Sequence, residues 1–392
     1  MTRWRPQLFK REAVNRSISA DVVANAIAIA EVTAKANAKL PPVFTLRHLA
    51  HLADVDYGLL RAIVSRKNAN PYRLFQIRKR PSETGEKRFR VIAVPNPHLL
   101  KTQRWITQEI LSKADPHSAS TAFSKGDTLL AAAEPHCLSR WLIKLDVRNF
   151  FESISEIAAY RVYLSLGYQP LVSFELARLC TRLRLSTPSR FSKKWWSHWW
   201  KWSTILAYQV WRSDDGTKMG HLPQGAPTSP MLANLAMREF DKLVSTICGR
   251  HGLTYTRYAD DLTLSTQQAD FSREKGRKAI GEVYAAMGQF GLSPNATKTR
   301  IVSPGSRKIV LGLLVDGPKP KLPKDFKASM RQHLYFLRNP SIGAVVHARN
   351  RGFSSVAGMK NHLFGLASFA NQIEPHYGVN CLESLKTIDW PA

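Results

Sequence analysis

Residues 257–265 read RYADDLTLS. Tyr258, Leu262 and Leu264 are strand formers on either side of Ala259-Asp260-Asp261, so the stretch predicts two short strands joined by a tight turn with two acids at its tip. Aspartate is a common turn residue, and adjacent pairs are frequent. The chain holds another, Asp214-Asp215 before Gly216, which has no strand pattern ahead of it and reads as a solvated loop. The pair at 260–261 becomes more than a turn only if other residues converge on it.

Two stretches supply such residues. WLIKLDV (141–147) predicts a strand in which Asp146 follows Leu142, Ile143 and Leu145. A buried, unpaired carboxylate is costly, which puts Asp146 at the strand's end near a cation. HLPQGAPTSP (221–230) is a Pro/Gly loop at the start of a helix, PMLANLAMREFDKLVSTIC, with Leu232, Leu235, Leu243 and Ile247 on one side. Ser229 is its expected N-cap, Pro230 lies in the first turn, and Gly249 follows the end. Gln224 offers donors and acceptors beside the free N–H groups of that helix start. The elements run strand, helices, strand, strand, helix, strand, the split βαβ order of a ferredoxin-like sheet, which lays the first strand beside the hairpin. Carboxylates about 4 Å apart repel by roughly 4 kcal/mol at an effective dielectric near 20. Divalent metal removes that cost, and oxygen-only ligands select Mg2+ or Mn2+, with two ions serving in-line phosphoryl displacement.

The charge balance fits such chemistry. Among 392 residues, 57 Lys+Arg stand against 29 Asp+Glu, a net charge of +28. The excess is spread along the chain, which favours a polyanionic partner, nucleic acid before anionic membrane. Four scattered cysteines suggest neither a zinc site nor a disulfide framework. No secretion signal or membrane span is evident, so the expected location is cytoplasmic. A helix is expected over 20–40, with Val22, Ala26, Ile29 and Val32 inward, ended by Pro41-Pro42. After a helical stretch over 43–70 comes a hairpin, LFQIRKR and KRFRVIAVP, carrying Arg78, Lys79, Arg80, Lys87, Arg88 and Arg90. Those cations suit either a solvated edge or phosphate contact. Beyond RYADDLTLS, a helix over roughly 271–289 ends at Gly291, and a strand TRIVS and a hairpin KIVLGLLVDG close the unit. Past 320 the basic helix FKASMRQHLYFLR presents Lys327, Arg331 and Arg338 opposite Phe326, Met330, Leu334 and Leu337.

The series LDVRNFF, LPQGAPTSP, RYADDLTLS, GLSPNATKT and VLGLLV resembles the palm motifs of reverse transcriptases, and its wording is most like the bacterial retron branch. The resemblance runs from about residue 45 to 370. It implies an α+β, right-hand polymerase with fingers, ferredoxin-like palm and helical thumb. The divisions are a basic, helical N-terminal extension (1–42), fingers (43–138), palm (139–318, with a Trp-rich insertion at 186–216) and thumb with C-terminal tail (319–392). Asp146, Asp260 and Asp261 then carry two Mg2+ ions with the Val147 backbone. Phe151 becomes the gate against a 2′-hydroxyl, Gln224 lines the incoming dNTP, and Lys298 attends the pyrophosphate. Lys87, Arg88 and Arg90 become candidates for triphosphate contact, and Lys327, Arg331 and Arg338 for duplex RNA.

AFSKGDTLLAAAEPHC (122–137) resembles a retron segment ending in NAxxH, with Ala132 in place of Asn and His136 kept as a possible RNA contact. VLG at 310–312 replaces the retron VTG. FSKKWWSHWWKWSTILAYQVWR (191–212) holds six of the ten Trp and reads as a base-stacking platform, a partner-docking surface or a small satellite core. The retron resemblance further implies a structured noncoding RNA as template and primer, priming from an RNA 2′-hydroxyl, an RNA-linked single-stranded DNA product (msDNA), and antiphage defence with a separate effector protein. Two rivals stand: another bacterial reverse transcriptase of group II intron type, which expects maturase segments not found after residue 370, and an RNA-binding scaffold whose polymerase site is inactive.

Overall fold

The computed structural model describes residues 4–66, 71–78, 89–183 and 219–391. Lys79, Arg80, Lys87, Arg88, the Asp214-Asp215 pair and the tryptophan-rich stretch lie outside the described residues. Near the start, helix α1 (Ala20–Ala36) buries Val23, Ile27, Ala30 and Thr33. That face is one residue on from the expected one, and Val22 and Val32 point to solvent. Thr33 explains the shift, because its hydroxyl donates 3.0 Å to the Gly167 carbonyl. Gly167, at φ +85°, comes so close that a Cβ there would sit 2.9 Å from the Val32 carbonyl oxygen. Apolar periodicity carries no record of such a backbone approach.

The basic hairpin forms as strands β1 (Tyr72–Arg78) and β2 (Phe89–Pro95), antiparallel, with Tyr72 opposite Pro95. Next in the chain come β3 (Trp141–Asp146) and α2 (Glu156–Ser165). The single helix expected after residue 229 is two, α3 (Ser229–Ala236) and α4 (Arg238–Arg250), which meet at Met237. Inward apolar spacing continues across the break, so the sequence pattern hides it. Ser229 is a first-turn residue and not the cap; its hydroxyl donates 2.6 Å to the Pro223 carbonyl. Gly249 lies inside α4, and Gly252 takes the left-handed position beyond it, at φ +63°.

β4 (Thr254–Tyr258), β5 (Asp261–Thr266), α5 (Arg273–Gln289) and β6 (Arg300–Val302) complete the central unit. The four long-range strands form one antiparallel sheet in the order β4-β5-β3-β6. This is the split βαβ order read from the sequence, with the first strand beside the hairpin. Ile143, Leu145, Leu262 and Leu264 share one buried face and Leu142 is buried on the other, so a one-residue slip would exchange the two faces and break the packing of both. On the outer edge, the Ala119 carbonyl accepts from the Arg257 N–H at 2.7 Å and Thr121 N donates to the Arg257 carbonyl at 2.9 Å, so residues 119–121 cover the open side of β4.

A short hairpin follows, β7 (Ile309–Val310) and β8 (Leu313–Leu314), turning through Leu311 at φ +49° and Gly312 at φ +85°. The C-terminal region is helical, with α6 (Lys324–Arg338), α7 (Val356–Ile373) and α8 (Pro375–Lys386) around Met330, Leu337, Met359, Leu363, Cys381 and Leu385. Of the residues expected on the inner side of α6, Met330 and Leu337 are buried, and His333 joins them. Among the described residues no helix is long and apolar enough to cross a membrane.

Candidate active site

Backbone pairing brings the three acids together. Asp146, last in β3, lies directly opposite Asp261, first in β5. Tyr258 also pairs with Asp261, so the turn has only two central residues, Ala259 and Asp260. Val147 N–H donates 2.9 Å to the Asp260 carbonyl, tying the end of the first strand to the turn. Ala259 sits at φ +56° while Asp260 keeps a negative φ. Glycine is the usual occupant of a first central position with positive φ, so an alanine there is strained.

The electrostatics follow from this crowding. Burial first, and the Asp146 carboxylate second, raise the Asp260 carboxyl above the ordinary Asp range. Burial also raises Asp261, which Lys144 partly offsets. Two lysines balance the other charges: Lys298 Nζ lies 2.6 Å from Asp146, and Lys144 Nζ lies 3.3 Å from Asp261. Asn295 holds Asp146 twice, through its side-chain amide at 2.8 Å to the carboxylate and its N–H at 2.8 Å to the carbonyl. No three acid, His or Cys side chains among the described residues gather as a finished metal cage. The donor set nevertheless fits a hard divalent ion: oxygen ligands only, mutually repelling, partly desolvated, with ammonium groups standing where cationic charge is needed. Asp146, Asp260, Asp261 and the Val147 carbonyl are the groups that would hold it.

Aromatic rings border the acids. Phe150 is buried, whereas Phe151 is half-buried and faces Phe123 with ring centroids 6.4 Å apart. Phe123 also lies 6.1 Å from the Tyr258 ring, and it is well exposed at φ +71°. Gln224 is half-buried, and its carbonyl accepts from Ala93 N–H of β2 at 2.8 Å. Its neighbour Gly225, at φ +108°, packs so tightly on β2 that a Cβ would lie 2.7 Å from Ile92. The loop is therefore packed and hydrogen-bonded directly onto β2. Arg90, exposed on β2, acts on Asp260 as a nearby positive charge. Lys87 and Arg88 fall outside the described residues.

Two residues expected to contact nucleic acid are engaged within the protein. His136 is fully buried, bridging the hydroxyls of Ser265 and Thr256 at 2.7 Å each, and burial pushes it down to about 4. It is a neutral strut between β4 and β5 with no exposed surface. Lys327 is bound at 2.5 Å to Glu374 and covers the Tyr377 ring, which commits it to the junction of α6 with the end of α7. Arg331 and Arg338 remain exposed. Sequence reasoning missed Lys144, Asn295, Phe123 and Arg257. A signal existed for Lys144, since alternation in LIKLDV puts it on the same side of the strand as Asp146.

The family model described as reverse transcriptase (RNA-dependent DNA polymerase) matches residues 77–325, more than half of the chain. The chain belongs to the reverse transcriptase family. It is 28% identical over 352 residues to the retron Ec86 reverse transcriptase of Escherichia coli, covering 90% of this chain and 96% of that one. It is 27% identical over 348 residues to the retron Ec83 reverse transcriptase of the same organism, covering 85% and 97%. To the retron Mx162 reverse transcriptase of Myxococcus xanthus it is 27% identical over 321 residues, 79% of this chain and 60% of the relative. All three acids, Phe151, Gln224 and Lys298 lie within the matched segment of this reverse transcriptase.

Proposed function

We propose that this chain is a retron-type, RNA-directed DNA polymerase that copies a cognate structured noncoding RNA from dNTPs into single-stranded DNA that stays joined to the RNA. The observation that carries the reading is the ladder pairing of Asp146 with Asp261, one residue from Asp260. Resemblance to named retron enzymes over nine-tenths of the chain supports the branch. On this reading the hairpin and its supports are fingers, the four-stranded sheet is palm and α6 to α8 are thumb, with the basic N-terminal residues as an extension.

Asp146, Asp260 and Asp261, with the Val147 carbonyl, would hold two Mg2+ ions, or Mn2+. Bound there, the ions neutralise the triphosphate and favour ionisation of the attacking hydroxyl. The chain's own residues do the remainder. Phe151 closes the floor beside the sugar and disfavours a 2′-hydroxyl, while Gln224 lines the nucleotide from a loop fixed to β2. Arg90 supplies positive charge toward the triphosphate. Lys298, which pairs with Asp146 here, would supply positive charge to the departing pyrophosphate.

The product's RNA linkage, priming from an RNA 2′-hydroxyl, cytoplasmic location and a role in antiphage defence beside an effector protein belong to the same proposal. The test is purification with bound nucleic acid, followed by sequencing and by dNTP incorporation with Mg2+. A branched RNA–DNA hybrid, and incorporation lost in Asp260→Ala and Asp261→Ala, are the expected results. Retained RNA with no incorporation by the unaltered protein would instead identify an RNA-binding scaffold.

A further inference from the structure

Beneath the acidic turn lies a polar cluster that the chemistry above does not use. Arg257, Asp241 and Asn234 are all fully buried. A guanidinium is kept there only if its donors are satisfied. Asp241 takes two of them, from Nε at 2.8 Å and Nη2 at 2.7 Å, and also accepts the Tyr255 hydroxyl at 2.8 Å. Nη1 is then left with two directed uses: the Asn234 side-chain oxygen and the Ala259 carbonyl, each at 3.1 Å. Asn234 passes the connection on, its amide donating 2.5 Å to the Ala122 carbonyl.

Both ends of this chain of bonds are strained. Ala259, at φ +56°, immediately precedes Asp260, and Phe123, at φ +71°, immediately follows Ala122. Left-handed backbone at a residue other than glycine persists where its surroundings over-determine it. Here one buried ion pair, anchored on α4, does so at both places. Asp241 cancels the arginine's charge, so the cluster has no call on a substrate anion.

We propose that Arg257 is a positioning residue: it clamps the Ala259 carbonyl to set the Asp260 turn for metal binding and, through Asn234, sets Phe123 against Phe151 and Tyr258. The inference rests on the polymerase reading. Lysine, a single point donor, is unable to grip Asp241 twice and hold Ala259 as well.

The experiment uses full-length protein. Mn2+ affinity is read by electron paramagnetic resonance without substrate, and half-saturating Mg2+, kcat and dNTP KM by primer extension, well below each variant's melting temperature. Arg257→Lys is expected to weaken Mn2+ binding and raise half-saturating Mg2+ about fivefold, the scale of one left-handed residue. Adding Ala259→Gly, which relaxes the turn without the clamp, is expected to recover most of that loss. Loss of kcat at unchanged metal affinity, with no recovery by Ala259→Gly, overturns the proposal. If Arg257→Lys does not fold, Asn234→Ser leaves the ion pair whole and releases Ala122; dNTP KM is expected to rise about threefold, and an unchanged KM overturns the proposal. Asp260→Ala separates the two ideas, since continued incorporation by that variant defeats the polymerase reading, whereas its inactivity beside normal Mn2+ affinity in Arg257→Lys defeats the clamp alone.

Discussion

Asp260 lowers the stability of the metal-free protein at neutral pH. Its carboxyl is held above the ordinary range by burial and then by Asp146, so the folded state binds a proton more readily than the unfolded chain. The contribution of Asp260 to stability is therefore most favourable below the unfolded value, near 3.9, and is lost as pH rises through the elevated folded value. Asp260→Asn is expected to raise the melting midpoint of the metal-free protein at pH 7 by about a degree or two, the gain vanishing toward pH 3.5. Calorimetry with and without Mg2+ checks this: the ion should stabilise the unaltered protein and leave the variant's midpoint nearly unmoved. A second outcome concerns Phe123, whose exposed ring borders Phe151. Phe123→Ala is expected to raise dNTP KM about tenfold, the loss of roughly 1–2 kcal/mol of base stacking, with the melting midpoint little changed. The acids were legible because an aspartate closing an apolar strand and a pair at a hairpin tip are chemically conspicuous. Phe123, Asn295 and Arg257 were not, since their roles depend on a left-handed backbone, a register between distant segments and a buried ion pair that leave no local pattern.

At the scale of elements, strand order was readable and helix faces were less so. Alternating strands and long helices in a fixed sequence leave few topologies, and the four-stranded antiparallel sheet is the one expected. The face of α1 was misjudged because a hydrogen bond to the Gly167 turn, and not apolar area, decides it. The break at Met237 was missed for a related reason, since inward spacing is the same for one helix or two. His136 shows how a motif position misleads: a histidine beside retron-like sequence reads as an RNA contact, yet its ring joins β4 to β5. His136→Gln is expected to cost about 1–3 kcal/mol of stability, through hydroxyls left without partners, and to leave RNA affinity unchanged at temperatures where the protein is folded. Because burial holds the ring down to about 4, His136 stabilises the fold above pH 6.5 and that contribution is lost as pH falls from 6.5 toward 4. Chemical denaturation across that interval should show a shallower slope in the glutamine variant, the remainder coming from His333, which burial also pushes down to about 4.

For the whole molecule, the net charge of +28 is a statement about binding. Cations paired with acids are already cancelled within that sum, among them Lys144 and Lys298 at the acidic turn, Arg257 with Asp241, Lys327 with Glu374 and Arg66 with Glu156. What is left forms organised surface in places, and α6 is the clearest. Lys324, Arg331 and Arg338 are exposed at seven-residue intervals, which sets them in one stripe two helical turns apart. A stripe of that kind follows a duplex backbone, where each phosphate neutralised adds about 0.7–0.9 to the slope of log affinity against log salt. Arg331→Ala with Arg338→Ala is expected to reduce that slope by about 1.5 for an RNA–DNA duplex, weaken binding at low salt and leave the melting midpoint unchanged. Lys327→Ala is expected to do the reverse, lowering the midpoint through the lost Glu374 contact and leaving the slope alone. Fluorescence anisotropy over a salt series, paired with thermal melts of the same preparations, reads both. Equal slopes for the double variant and the unaltered protein would remove α6 from the nucleic-acid path and return the charge stripe to an ordinary solvated face.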